Sequence, residues 1–315
     1  MTTAASRTGF WTDQVWASID DGVTTSAGAI RVAQNVFLTE PLANMTLVPA
    51  DVFDPKTMSI AEGISKPFIE LAVEFSLTNG QVNDDPTGKT AITLSKLAAR
   101  PLALAEDMII LQGGDADLSG VQVESGKDSL EHGLLGVASG REITVKPPDP
   151  DAPTNSGGQI LSAVAKGIAL LTRDLQAPPF ALIQDTSASA ATWGSFINGA
   201  PAHTVLDSVL ARGIYGTGAM PADTGLLIAL GGDPTTIYIG SEAVTEHTHK
   251  GKGGVYHFRT FERVQYVARD RRAFVKLDFS YLSKLRQEEG SNKVAPATAG
   301  DTSRQRRGAA GGAAA

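Results

Sequence analysis

The chain has no cysteine among its 315 residues. This absence excludes a disulfide framework and any metal site built on thiolates, and it fits a cytosolic protein. Charged residues are also few, at 19% of the chain, against about a quarter in an average globular protein. The net charge of -7 argues against nucleic-acid binding as the main task, because phosphate contacts require clustered lysine and arginine.

Long apolar runs are also missing. No stretch approaches the roughly 18 consecutive apolar residues that a membrane-spanning helix needs. The opening residues, MTTAASRTGFW, lack the basic start and apolar run that mark a secretory signal. We therefore expect a cytoplasmic chain with no membrane partner.

What the chain does contain is apolar residues, at 42%, and 33 glycines. The apolar content is ample for a large core. A low surface charge with many glycines and prolines suits a protein that covers much of its surface against neighbours. It equally suits a loop-rich enzyme, so composition leaves both classes open.

The most regular segment begins at Lys66 with KPFIELAVEFSL. Its apolar residues fall on odd positions from Ile69 to Leu77, the period of a half-buried strand. After a polar break, an apolar stripe repeats at steps of three and four, which predicts a helix of roughly five turns or more. The stripe consists of Leu94, Leu97, Pro101, Leu104, Met108 and Leu111. Pro101 removes a backbone donor and predicts a bend.

Weaker patterns predict the remaining elements. Residues 11–33 favour a helix, 36–66 an extended excursion with short strands, and the tail after Gly290 favours disorder. Short strands are predicted at Leu134–Val137 and Ile143–Val145. A second amphipathic helix carries Ile160, Val164, Ile168, Leu171 and Leu175 and stops before Pro178-Pro179. Beyond it we expect strands at 180–184, 225–230, 236–239, 254–267 and 272–279, with helices at 187–196 and 204–212.

Three motifs contain residue types that could support chemistry, and none indicates catalysis, a cofactor or a metal. His247 and His249 have a spacing found among metal ligands, but they lie in a glycine-rich polar segment without a third ligand, which favours a solvated hairpin loop. Glu106 and Asp107 are adjacent on a helix and point roughly 100 degrees apart. We interpret them as partners of an arginine or of a backbone donor, with a subunit contact as one place for such a pairing. Residues 213–218 lack the Lys-Ser/Thr of a phosphate-binding loop, so a turn is expected there.

Several of these segments resemble one family in the same order along the chain. KPFIELAVEFSL followed by AARPLALAEDMIILQG resembles the encapsulin shell proteins, whose fold is that of HK97-type phage capsids. Further similar pieces are the Trp16–Asp20, Phe180–Ile183, Ile237–Gly240, Tyr256–Glu262 and Ala273–Leu277 segments. The likeness covers roughly residues 10–280.

The resemblance implies an α+β, HK97-like capsid fold with an N-terminal helix, an E-loop, a peripheral domain with a long spine helix, and an apical domain. The implied divisions are an N-terminal arm and helix over 1–35, the E-loop and its strands over 36–80, the peripheral domain over 81–178, the apical domain over 179–245, its return strands to the peripheral domain over 246–285, and a disordered tail over 286–315. In this family the E-loop lies across the neighbouring subunit.

The resemblance also implies a function. The chain would assemble with many copies of itself into an icosahedral nanocompartment, and would enclose an iron-handling or peroxidase cargo through a short targeting peptide. The resemblance implies that Trp16, Ile19, Ile239 and Gly240 form the groove for that peptide, although core anchoring explains Trp16 equally well. The resemblance also implies that Trp193, Gly199 and Pro201 belong to a pore loop. A capped surface helix would explain the same segment.

Two other functions remain open. A phage major capsid protein enclosing DNA in a virion is favoured by the unusual 36–66 segment and the long tail, whose Arg304, Arg306 and Arg307 could face nucleic acid. A soluble enzyme of unknown reaction would be a monomer or small oligomer with a lined cleft.

Overall fold

The computed structural model describes residue 9 and residues 11–54, 57–130, 132–147 and 156–284. The predicted disordered tail with its three arginines lies outside the described residues. The described helices are α1 Asp13–Gly28, α2 Ala33–Val36, α3 Asn79–Asn83, α4 Lys89–Gln112, α5 Leu134–Val137, α6 Ser156–Arg173, α7 Thr186–Trp193 and α8 Ala202–Leu210. Short 3-10 turns lie at Lys127–Ser129 and Arg271–Ala273.

The described strands form two five-stranded sheets and three two-stranded pairings. They are β1 Leu38–Pro41, β2 Leu47–Pro49, β3 Val52–Asp54, β4 Ser59–Ala61, β5 Ser65–Pro67, β6 Ile69–Leu77, β7 Gln122–Ser125, β8 Glu142–Thr144, β9 Phe180–Asp185, β10 Phe196–Ile197, β11 Ala200–Pro201, β12 Ala211–Thr217, β13 Thr224–Ala229, β14 Thr235–Lys250, β15 Tyr256–Ala268 and β16 Phe274–Asp278.

The first sheet has the order β1-β14-β15-β6-β7 and carries the predicted strand β6 near its centre. β6 pairs antiparallel with β15 along its whole length, from Ile69 opposite Val264 to Leu77 opposite Tyr256. The odd-numbered residues of β6 face the main core, against α1 and α4. This confirms the strand and its period.

The predicted spine helix is also confirmed, as the 24-residue helix α4, which continues through Pro101. Its buried face differs from the apolar stripe in the sequence. The fully covered positions include Ala99, Leu102 and Ala103, whereas Leu97 is 50% exposed. Small alanine side chains let α4 approach α1 closely. Of the other side chains in the stripe, Leu94, Leu104 and Met108 are half-buried at the edge of the main core, and Leu111 is fully buried.

The second sheet has the order β12-β9-β13-β16-β8. Every residue of β9 and β13 is buried, and α6, α7 and α8 pack around this sheet. The predicted helices and strands of this region all form within about three residues of their expected ends. The cores of the two sheets are continuous through one large apolar cluster.

Two strands belong to a different sheet from the one expected. β16 pairs antiparallel with β13, so the strand predicted at 272–279 joins the second sheet and not the return strands under the spine helix. The strand predicted at 236–239 is the beginning of β14 in the first sheet, so the expected boundary at residue 245 falls inside one strand. Local periodicity carries no information on a strand's partner, and the chain crosses between the sheets more often than we expected.

Three local predictions were wrong. Leu134–Val137 forms the short helix α5, because Gly133 packs tightly against the end of α4 and turns the chain there. Residues 213–218 mostly continue strand β12 beside β9 and do not form a turn. Leu175 lies beyond the end of α6, with a φ of 63° and 86% exposure, and is not part of that helix's apolar face.

The predicted excursion over 36–66 is an arm of short strands. β2 pairs with β5 and β3 pairs with β4, both antiparallel. At its base, Val48 and Ala50 are buried against Phe68 and Tyr238, on the face of the first sheet opposite the helices. Further out the arm exposes the apolar side chains of Met45, Leu47, Val52, Met58, Ile60 and Ile64.

Candidate assembly and cargo-binding surfaces

The aromatic residues of the N-terminal helix lie in the core. Trp16 is 1% exposed and Ile19 is fully buried. The ring of Trp16 meets that of Trp11 edge-on at 5.3 Å, and Trp11 stacks on Phe258 of β15 at 5.6 Å. These contacts anchor α1 to the first sheet, the structural role that the sequence had left open for Trp16.

The four residues predicted to line a peptide groove do not share an open surface. Ile239 faces the main core with Trp16 and Ile19. Gly240 faces the opposite side of the sheet, where an added Cβ atom would lie 2.9 Å from the ring of Phe68. Alternation along a strand causes this separation, since neighbouring residues point to opposite faces. Peptide binding by these residues stays a prediction.

An open groove lies elsewhere on the subunit, beside Pro101 and Leu104 of the spine helix. It has a volume of about 540 Å³ between the end of α1, the middle of α4 and the end of β12. Its lining includes Ile30, Arg100, Pro101, Leu104 and Gly218. Pro101 and Leu104 belong to the apolar stripe seen in the sequence, so that stripe was the sequence signal for this groove.

The residues predicted for a pore loop lie together at one end of the second sheet. Trp193 ends α7, is 58% exposed and stacks on the ring of His203 at 3.9 Å. Gly199 occupies the tip between β10 and β11 with a φ of 84°, a value that favours glycine. Pro201 precedes α8 at its N-cap. The structure thus brings the three residues into one compact surface feature, and their role at a pore stays a prediction.

Glu106 and Asp107 make the contacts predicted for them, within the chain. The guanidinium of Arg31 pairs with Glu106 at 2.6 Å and with Glu262 of β15. Gln34 donates its side-chain amide to Glu106 at 2.6 Å. Asp107 accepts the backbone N–H groups of Val32 and Ala33, at 2.7 and 2.9 Å. The end of the spine helix is thereby tied to the segment that follows α1.

Burial dominates the electrostatics of this cluster. It raises the pKa of Glu262 well above its usual range and also raises the pKa of Glu106, although Arg31 opposes the shift in both cases. Burial likewise raises the pKa of Asp107 to about 7, against the opposing effect of its backbone hydrogen bonds. Each of these carboxyl groups therefore holds its proton more firmly than it would in water.

The histidine pair lies in a strand and not in the solvated loop that was expected. His247 and His249 belong to β14, with His247 buried and its ring 5.4 Å from that of Phe258. The ring of His249 stacks in parallel on that of His257 at 4.4 Å. The turn lies later, after Lys250. Within the described ranges no group of three His, Asp or Glu side chains could hold a metal ion.

The two sheets, the long spine helix and the protruding arm together define the class of HK97-type capsid proteins. The fold is similar to the virus-like particle from Pyrococcus furiosus, with a TM-score of 0.63 and 12% identity, covering 85% of this chain and 100% of that chain. It is also similar to Mycobacterium phage Bobi, with a TM-score of 0.56, 13% identity, and 79% and 90% of the two chains covered. A third match is the capsid of the empty GTA particle, with a TM-score of 0.53, 14% identity, and 78% and 88% covered.

The chain belongs to the encapsulin family. Residues 10–264 match the Linocin_M18 family, described as encapsulating protein for peroxidase. A search of curated protein sequences finds no significant match. Among the residues that the structure describes, no helix combines the length and apolar character needed to cross a bilayer.

Proposed function

We propose that this chain is the shell subunit of an encapsulin-like nanocompartment, which assembles into a closed icosahedral particle and encloses a cargo protein. The observation that carries the proposal is an apolar arm that its own subunit leaves uncovered, in a chain of the encapsulin family. The shell contributes enclosure and passage of small solutes, and catalysis belongs to the cargo.

The arm supports assembly because the described residues leave the apolar side chains of its outer part largely uncovered. Met58 is 77% exposed, Ile60 60% and Ile64 47%. Fully burying a side chain of this size stabilises a structure by about 1.5–3 kcal/mol. A two-stranded arm cannot provide that burial by itself, because two strands have too little area to form a core. A second copy of the chain would supply the missing surface.

A complementary surface exists on the body of the subunit. On the spine helix Leu97 is 50% exposed, and Ile30 after the end of α1 is 37% exposed. The groove lined by Ile30, Pro101 and Leu104 is open and partly apolar. An arm from one copy and this surface on another are different patches, so their contact is heterologous. Repeated contacts of that kind close into rings around symmetry axes when the rotation permits.

The family description, encapsulating protein for peroxidase, supports a peroxidase cargo. In this proposal a short targeting peptide recruits the cargo, and the compartment lies in the cytoplasm. Trp16, Ile19 and Ile239 could contribute to a peptide groove only if α1 moved from the first sheet, since all three are buried. The open groove beside Pro101 and Leu104 requires no such movement.

A second function, enclosure of DNA as a phage major capsid protein, is favoured by the fold's similarity to Mycobacterium phage Bobi. The net charge of -7 favours a protein cargo over nucleic acid. The contents of purified particles distinguish the two functions.

Electron microscopy of the purified protein tests the proposal, together with two variants of one arm residue. Uniform closed particles are expected for the unmodified chain and for Ile60→Val, which keeps the apolar surface. Ile60→Asp should remain folded by circular dichroism and fail to assemble. A monomer for all three proteins would refute the shell function. Particles that carry DNA protected from nuclease would favour the phage function.

A further inference from the structure

The cluster around Arg31 contains more buried acid than it can neutralise. Arg31 is 6% exposed, Glu262 is 2% exposed, and Glu106 and Asp107 are fully buried. Among the described residues, one further charged group faces the cluster, Glu242 of β14, 3.5 Å from Arg31 and 59% exposed on its side chain. Full ionisation would therefore set one positive charge against three buried negative charges.

A net buried charge of this size is strongly unfavourable, and carboxyl groups avoid it by keeping a proton. Asp107 has two backbone N–H donors of its own, from Val32 and Ala33. Glu106 and Glu262 instead share the single guanidinium of Arg31. The retained proton is therefore best placed in the Glu106–Glu262 pair, and burial raises the pKa of both groups in agreement with this placement.

The position of the cluster gives that proton a structural role. Arg31 lies between α1 and α2, Glu106 near the end of α4, and Glu262 in the middle of β15. The segment 31–36 leads directly to β1 and then to the arm. Besides the contacts to Glu106, Asp107 and Glu262, this segment is a single helical turn with backbone bonds from Asn35 and Val36 to Val32, and it places Ala33 and Val36 in the main core.

We propose that Arg31, Glu106 and Glu262 form a proton-dependent latch, which holds segment 31–36 at the base of the arm against the spine helix and releases it when the shared proton is lost at alkaline pH. Loss of the proton leaves two buried carboxylates on one guanidinium. Opening the segment exposes them to water and relieves the repulsion. If the proposed shell function holds, the same event loosens the arm and weakens the shell.

Hydrogen exchange of the full-length protein from pH 6 to pH 10 tests the latch. After correction for the intrinsic effect of pH, protection of the amides of Asn35 and Val36 should fall by up to about tenfold per pH unit while the closed segment keeps the proton and the open segment has released it. The fall should level off once the closed segment also loses the proton. Amides in β13, which lies in the second sheet, serve as the internal control and should show no such fall. Protection of residues 31–36 that stays constant over the whole range would overturn the proposal.

Two variants identify the titrating group. Glu262→Gln keeps an acceptor for Arg31 and removes the shared proton, so protection should become independent of pH above about pH 7, where Asp107 no longer contributes. Asp107→Asn should leave the alkaline fall in place. The reverse pattern would assign the effect to Asp107 and overturn the latch. If Glu262→Gln does not fold, the infrared band of a protonated carboxyl is measured in Asp107→Asn at pH 7 instead. Loss of that band at the pH where the fall in protection levels off gives the same decision.

Light scattering of the same samples separates this inference from the shell function. Closed particles at pH 7 that dissociate at the pH where protection falls support both. Absence of particles at every pH, with the fall in protection intact, would refute the shell function and leave the latch supported.

Discussion

Asp107 accepts the backbone N–H of Ala33 at 2.9 Å, across 74 residues of sequence. The same carboxyl accepts the N–H of Val32, so the end of the spine helix caps the beginning of α2. A helix of four residues cannot satisfy its first N–H groups internally, and a remote carboxyl supplies the acceptor.

Removal of this cap should destabilise the subunit. Asp107→Ala leaves two buried donors without an acceptor, at a cost of about 1–3 kcal/mol for each donor. Asp107→Asn keeps one acceptor oxygen and should lose less. Urea unfolding at pH 8 measures both variants. Equal losses for alanine and asparagine would show that packing, and not the hydrogen bonds, is what matters at this position.

Asp107 should also contribute a pH dependence. Burial raises its pKa from 3.8 to about 7 in the folded chain. The folded state then binds the proton more tightly than the unfolded state, so this contribution is complete below about pH 4 and is lost as the pH rises toward 7. The expected slope is up to about 1.4 kcal/mol per pH unit. Unfolding free energies at pH 5, 6 and 7 should fall less steeply for Asp107→Asn than for the unmodified chain.

The sequence predicted elements better than it predicted their partners. Strand β6, helix α4 and the contacts of Glu106 followed from local periodicity and from the cost of an unpaired carboxyl. The buried face of α4 did not, because alanine packing against α1 is decided by the tertiary approach of two helices. The sheet to which β16 belongs was also missed, since a short apolar strand fits either sheet.

For the candidate site, the sequence identified residues but not their exposure. The Trp16 and Ile19 side chains are fully covered, and Gly240 lies on the other face of the sheet. Aromatic residues on a short helix have the same pattern whether they form a core or a groove. The sequence showed that the stripe on α4 and the end of the arm contain apolar residues. Only the fold showed which of these residues are exposed.

The exposed Leu97 on the spine helix should be needed for assembly and not for folding. Leu97 is 50% exposed, so Leu97→Asp should change the unfolding free energy of the dissociated subunit by less than about 1 kcal/mol. In an assembled shell the same change would place a charge in an apolar contact and prevent closure. Leu97→Met is the matched control and should assemble normally. Sedimentation velocity measures the outcome, and normal particles from Leu97→Asp would exclude this part of the spine helix from the interface.

Trp16 should behave as a core residue. Trp16→Ala removes a buried ring that contacts Trp11 and Phe258, at an expected cost of about 3–5 kcal/mol. Trp16→Phe keeps part of the aromatic contact and should cost less. Urea unfolding gives both values. Loss of peptide-directed cargo capture in Trp16→Phe, with stability largely retained, would instead support a direct role in binding the cargo peptide.

Trp193 should show the opposite behaviour. Its ring is 58% exposed and its main contact is the stack on His203, an interaction worth about 0.5–1.5 kcal/mol. Trp193→Ala should therefore lower the unfolding free energy by no more than about that amount. If the loop borders a pore, removal of the indole should speed the entry of a small quencher into shells loaded with a fluorescent cargo. Val209→Ala, a change at another exposed apolar position on α8, provides the control. Equal entry rates for both variants and the unmodified shell would place the pore elsewhere.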